Sequence, residues 1–185
     1  MTTSKKIPVA ALLILVLTMA VVLTGCGSSG AKSKVTSDLA ERLDAIVAGD
    51  YSALGALADG LDADDLSDIG IDEDSLLAAF LEGFSYSIED VTAKNGEATA
   101  TVVFTVKSYS EFYAYFSEAA FDIPLDYSNA SDSKLATLYA QAVYDALSNA
   151  STVQVSVEFS YSKENRTWAP TDDFEQMLAD ALLSA

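Results

Sequence analysis

FSYSIEDVTAKNGEATATVVFTVK, residues 84–107, is the stretch whose reading decides the fold. Phe84, Tyr86, Ile88 and Val91 open a strand that reaches Asn95-Gly96, the strongest short hairpin signal. The return alternates Ala98, Ala100, Val102, Phe104 and Val106 against Thr99, Thr101, Thr105 and Lys107. Alternation with period two predicts an antiparallel pair with one buried face and one mostly polar face. Residues 152–168 repeat the pattern, with Val153, Val155, Val157, Phe159 and Tyr161 against Thr152, Gln154, Ser156, Glu158 and Ser160. Lys163-Glu164-Asn165 reads as the turn into a short fourth strand holding Trp168, and Pro170 stops it.

Helical periodicity surrounds these strands. Ser37 or Asp38 is a plausible N-cap for a helix carrying Leu39, Leu43 and Ile46-Val47, with Gly49 at its end. Asp50 then caps a short helix from Tyr51 to Ala58. A third helix has Asp72 to Asp74 in its first turn, Leu76, Leu77, Phe80 and Leu81 on one side, and Gly83 at its end. Two helical segments, about 110–120 and 132–148, lie between the hairpins, separated by a loop around Pro124. Asp172 with Glu175 resembles a capping box for a last helix bearing Phe174, Met177, Leu178, Ala181 and Leu182. The expected fold is α+β: N-terminal helices packed on a largely antiparallel, four-stranded curved sheet, with a helical insertion between the two hairpins.

The chain opens differently. After Lys5 and Lys6, residues 7–23 carry no charge and are dense in Leu, Val, Ile and Ala, which reads as the n-region and h-region of an export signal. The stretch is at the short limit for a hydrocarbon core of about 30 Å. Leu23-Thr24-Gly25-Cys26 then resembles the lipobox of bacterial lipoproteins. That resemblance implies cleavage between Gly25 and Cys26, acylation of Cys26 by palmitate-like chains, and a domain held on the outer face of the cell membrane. Cys26 is the only cysteine, so no disulfide or thiolate metal site competes for it. The expected organisation is a signal peptide at 1–25, the lipidated Cys26 with a flexible Gly/Ser tether to residue 35, and one domain at 36–185.

Ten Lys and Arg face 28 Asp and Glu, and two of the ten, Lys5 and Lys6, belong to the signal, so the chain from Cys26 onward carries a formal charge of −20. Such a surface repels nucleic acid. It is also expected to repel anionic headgroups, leaving the lipid to hold the domain in place. Eight Phe and nine Tyr argue for a folded core rather than an acidic disordered tail.

Gly49-Asp50-Tyr51 at a helix joint, Phe84-Ser85-Tyr86 opening the first strand, and Trp168 followed by an acid-capped helix are similar to small lipoproteins of the NTF2-like, cone-shaped fold. The helical insertion departs from the simplest order of that fold, so a cystatin-like sheet remains the alternative. The scaffold hosts enzymes, ligand binders and interaction modules alike.

The chain has no histidine, which removes Ser-His-Asp catalysis and the usual zinc and iron sites. Ser-x-x-Lys occurs at Ser29/Lys32, Ser131/Lys134 and Ser160/Lys163, without the companion motifs of penicillin-recognising enzymes. The acidic run Asp62, Asp64, Asp65, Asp68, Asp72, Glu73 and Asp74 fails as a calcium loop, since Leu66 and Ser67 occupy places needed for a ligand and for the turn glycine; it reads as helix capping on a solvated face. The aromatic group Tyr109, Phe112, Tyr113, Tyr115, Phe116, Phe121 and Tyr127 is the most distinctive feature. Tyr109, Phe112, Tyr113 and Phe116 share a helical stripe, which implies packing against the sheet or, alternatively, an aromatic-lined ligand site. An enzyme would resemble the ketosteroid isomerase branch of the fold, casting Asp90, Asp122, Tyr86 and Tyr113 as base and donors, but no motif assigns those parts. The expectation is a lipid-anchored, monomeric, cofactor-free binding or interaction domain for a small apolar or carbohydrate ligand or an envelope protein. The alternatives are a carboxylate/tyrosine enzyme and a structural envelope protein.

Overall fold

The structure, a computed structural model, describes residues 29–54, 63–123, 132–171 and 173–185. The expected signal segment, Gly25, Cys26, residues 55–58 of the expected short helix, Asp62, the loop around Pro124 with Tyr127, Ser131 and Asp172 lie outside the described residues.

Strands β1 (Ser85–Lys94), β2 (Glu97–Lys107), β3 (Thr152–Glu164) and β4 (Thr167–Pro170) form one open antiparallel sheet in chain order. Asn95 and Gly96 both take positive φ, 56° and 87°, as a tight hairpin turn between right-twisted strands requires. The second turn falls at Asn165 and Arg166 rather than at 163–165, so β3 is longer than its alternation suggested. Arg166 sits at φ 73° with a Cβ that disfavours this region. Arg166→Gly should therefore raise the melting temperature, with roughly 0.5–1 kcal/mol of stabilisation in a denaturant titration.

The register aligns the inner face in rows: Tyr86–Phe104–Val155, Ile88–Val102–Val157, Val91–Ala100–Phe159 and Ala93–Ala98–Tyr161. Helix α1 (Ser29–Val47) covers this face through Val35, Leu39, Leu43 and Ile46, and Leu54 joins them from a 3-10 turn, Tyr51–Leu54. Helix α6 (Phe174–Leu183) adds Phe174, Leu178, Ala181 and Leu182. Each of these Val, Leu, Ile and Phe side chains contributes about 1.5–3 kcal/mol of burial free energy.

Polar contacts fix the direction of α1 on the sheet. The Tyr161 hydroxyl donates to Asp38 at 3.2 Å, and the Tyr86 hydroxyl donates to Asp44 at 2.7 Å. Tyr161 lies near the end of β3 and Tyr86 near the start of β1, so α1 runs from the end bearing both hairpin turns toward the opposite end. Burial, then the neighbouring Asp, pushes both phenols above the usual tyrosine range. Arg42 bonds Asp38 at 3.0 Å and lies 5.5 Å over the Phe174 ring, joining α1 to α6.

Two boundaries differ from expectation. Helix α1 begins at Ser29, so Ser37 and Asp38 are interior to it and residues 29–35 are helical turns instead of a tether. The reason is Val35: it is fully buried one turn before Leu39, which makes the preceding turn part of the core-facing stripe. The cap of α6 is Asp173, whose carboxylate accepts from the Gln176 backbone N–H.

The remaining helices are α2 (Ala63–Asp68), α3 (Glu73–Phe80), α4 (Tyr109–Phe121) and α5 (Asp132–Asn149). As expected, Asp72 caps α3: its carboxylate accepts from the Ser75 N–H and hydroxyl at 2.9 and 2.7 Å, which holds its pKa below the usual range. The insertion between the hairpins is α4 and α5, which pack on each other. No side chain of α4 is buried, so its aromatic stripe does not pack against the sheet as expected.

Candidate functional site

The insertion is rooted by a collar of short contacts. Lys107 closes β2, and the alternation placed it on the polar face, yet it is 6% exposed because α5 comes down over it. Its ammonium donates to the Leu147 carbonyl at 2.8 Å and lies 3.4 Å from the Glu82 carboxylate. A cation against the last carbonyls of a helix also complements the helix dipole. The next residue, Ser108, caps α4 by accepting from the Glu111 N–H, while its own N–H donates to the Ser151 carbonyl at 2.8 Å. Ser108→Ala should cost about 1 kcal/mol, read as a lowered midpoint in urea.

Glu111 completes the collar by accepting from the Ser151 N–H at 2.8 Å, and that bond holds its carboxyl below its ordinary value of 4.5. A depressed carboxylate stabilises the fold above its unfolded pKa, and that contribution disappears as pH falls through the folded value. Stability at this junction should therefore drop in acid below about pH 4.5. Glu111→Gln should flatten that part of a melting-temperature profile, with no change near neutral pH in its slope.

Above the collar a second apolar cluster is separate from the sheet core: Ile71, Leu76 and Leu147, with Leu66, Ile69, Phe112, Val143 and Tyr144 packed around them. These residues leave a cavity of about 200 Å³. Leu66 of α2, Ile69 and Ile71 of the following turn, and Leu76, Leu77 and Phe80 of α3 form one wall. Tyr109 and Phe112 of α4, Val143 and Leu147 of α5, and Leu183 at the end of α6 form the rest. The backbone N–H of Ser110 donates to the Ala185 carbonyl at 3.1 Å, holding the chain end against α4 beside Leu183.

Of the four aromatic residues named from the sequence, Tyr109 and Phe112 line the cavity, with ring centroids 5.9 Å apart. Phe116 stacks on Phe112 at 6.1 Å, one turn beyond it. Tyr113 is 59% exposed and lines no part of the cavity. Leu76, Leu77 and Phe80 were visible as the apolar side of their helix, whereas Leu66, Ile69, Ile71, Val143 and Leu147 were not singled out in the sequence; Ile69-Gly70-Ile71, an apolar break in an acidic run, is the signal that could have found the first of these.

The residues that an enzyme would have used do not converge. Tyr86 bonds Asp44, Asp90 pairs with Thr101 in the sheet, Asp122 is the C-cap of α4, and Tyr113 faces outward. Among the described residues no group of three His, Cys, Asp or Glu could hold a metal, and no helix is long and apolar enough to cross a membrane.

No family model matches the chain, and no curated protein matches it. Among solved structures it is similar to the crystal structure of a candidate lipoprotein (ycdA) from Bacillus subtilis, at 18% identity and a TM-score of 0.41. The match covers 64% of this chain and 42% of that one, so the chain spans less than half of that protein's length.

Proposed function

We propose that the chain is a lipid-anchored envelope protein that binds a small apolar ligand between its helical insertion and α2–α3. The observation that carries the ligand reading is the cavity of about 200 Å³, whose surface is wholly apolar, with only the ring of Tyr109 facing it and not its hydroxyl. An engineered apolar cavity of about 150 Å³ takes up benzene while staying free of water. A cavity of this size and lining suits a short alkyl chain or a single ring, whereas carbohydrate hydroxyls would find almost no partners in it. The anchor reading rests on Lys5 and Lys6, the uncharged residues 7–23, and Leu23-Thr24-Gly25-Cys26. The NTF2-like or cystatin-like resemblance fits a curved four-stranded sheet covered by α1, with the ligand site between the insertion and α2–α3 and not against the face that α1 covers.

Two measurements test this reading. Native mass spectrometry of the full chain, released from its membrane in mild detergent, should show a non-covalent adduct that disappears on unfolding. Val143→Phe fills the cavity and should abolish the adduct with the fold retained. An identical adduct on wild type and variant would place the ligand elsewhere and end the cavity reading. For the anchor, Cys26→Ala should lose the mass of the acyl chains and leave the lipoprotein processing pathway; an unchanged mass would refute it.

A further inference from the structure

We propose that the end of the domain formed by the α1 N-terminus and the two hairpin turns is a membrane-contacting face that takes anionic lipid headgroups. The proposal rests on the reading of Cys26 as the lipid anchor. Eight Lys and Arg follow Cys26, and five of them gather at this end: Lys32 and Lys34 on the first turns of α1, Lys94 at the first hairpin, and Lys163 and Arg166 at the second. The Lys163 N–H donates to the Gly96 carbonyl at 2.8 Å, which fixes the two hairpin turns side by side. Lys34, Lys94, Lys163 and Arg166 are exposed. Among the described residues none of the five basic groups is in an ion pair. The turns add two carboxylates, Glu97 and Glu164, so the face is positive on a chain whose formal charge from Cys26 onward is −20.

The other three basic residues are committed or distant: Arg42 to Asp38, Lys107 to the collar, and Lys134 to the start of α5. Overall charge thus gives the wrong expectation for this face. An acidic body facing an anionic bilayer is repelled everywhere except at the one basic end, and the same field that repels the body therefore orients it. Chain length agrees with charge. Only Gly27 and Ser28 separate Cys26 from the start of α1, and three residue steps reach about 10 Å at full extension. An acyl group on Cys26 therefore holds the α1 N-terminus within about one Debye length of the headgroups at 0.1 M salt. The basic end is both the nearest to the anchor and the one complementary to the surface.

The test uses the full lipidated chain in vesicles of phosphatidylcholine with or without phosphatidylglycerol, carrying a headgroup quencher. A fluorophore is placed by Thr167→Cys at the hairpin end or by Thr152→Cys at the other end of β3. Both threonines are exposed. Quenching should be strong at position 167 and weak at 152. It should weaken at 167 when phosphatidylglycerol is left out or when salt is raised to about 1 M, where the screening length falls to ~3 Å. Lys94→Gln combined with Lys163→Gln should shift the ratio of face-down to tilted molecules by about five-fold per charge. Both substitutions are on exposed side chains, and an unchanged melting temperature verifies the fold. Equal quenching at the two positions, or quenching at 167 indifferent to anionic lipid, would overturn the proposal. The mass spectrum separates this from the anchor reading, since it shows whether Cys26 carries acyl chains; without them the uncleaved leader would still hold the chain on the vesicle and the labels would still report the face.

Discussion

Replacing Phe104 with alanine is expected to lower the unfolding free energy by about 3–5 kcal/mol, the range for removing an aromatic side chain from a core that relaxes only partly. Phe104 is fully buried in the middle of β2, between the rows that reach β1 and β3. Its ring lies 5.9 Å from Phe84 and 6.2 Å from Phe159, stacked on the first and edge-on to the second. Losing it therefore removes two aromatic contacts as well as the buried area, and neither α1 nor α6 can settle into the space while Leu39, Leu43 and Leu178 hold them at the present spacing. Val103→Ala, one residue away on the half-buried outer face, should cost under about 1 kcal/mol and serves as the control. Equal midpoints in a urea titration of the two variants would refute the assignment of the core to this face.

The second large effect is expected at Lys107. Lys107→Met keeps the length and apolar stem but removes the charge, leaving the Leu147 carbonyl without its donor. A hydrogen bond from a charged donor in a buried place contributes about 1.5–3 kcal/mol. Glu82→Gln, by contrast, should change stability little, because Glu82 is 75% exposed and its carboxylate is solvent-screened at 3.4 Å. The difference between the two variants separates the carbonyl contact from the ion pair. Because Leu147 also lines the cavity, Lys107→Met should weaken any adduct seen by native mass spectrometry; undiminished stability together with an undiminished adduct would show that the collar does not support the site.

Most of the sheet was legible because a strand announces its buried face in alternate residues and because Asn95-Gly96 marks its own turn. The inward set from Ala98 to Val106 lies on the inner face at every position. Helix starts were less legible. A cap-forming residue such as Ser37 is a local preference worth about 1 kcal/mol, and the burial of Val35 outweighs it by carrying the helix further toward the N-terminus. Lys107 was misread for a related reason: alternation says which face a residue takes, but not which helix from a later part of the chain will cover that face. The cavity was half legible. Its aromatic wall is dense in one short stretch, and Tyr109 and Phe112 were visible there; its aliphatic walls come from segments as far apart as Leu66 and Val143, 77 residues along the chain, and share no local pattern.

The irregularity in β1 at Ile88 and Asp90 would have a consequence for the chain if the proposed anchor holds it in two dimensions. The open sheet leaves one free edge on β1 and another on β4 and on the part of β3 before Tyr161 that β4 does not pair with, and molecules confined to a surface meet edge to edge far more often than molecules in solution. On β1 the register slips at the bulge, which twists the strand away from straight pairing, and the exposed carboxylates of Glu89 and Asp90 stand beside it. On β4 the edge is four residues long and ends in Pro170, which has no N–H to offer a neighbouring strand. The β1 and β4 edges are therefore poor templates for a second copy, and crowding under the proposed anchor should not join the sheets through either of them.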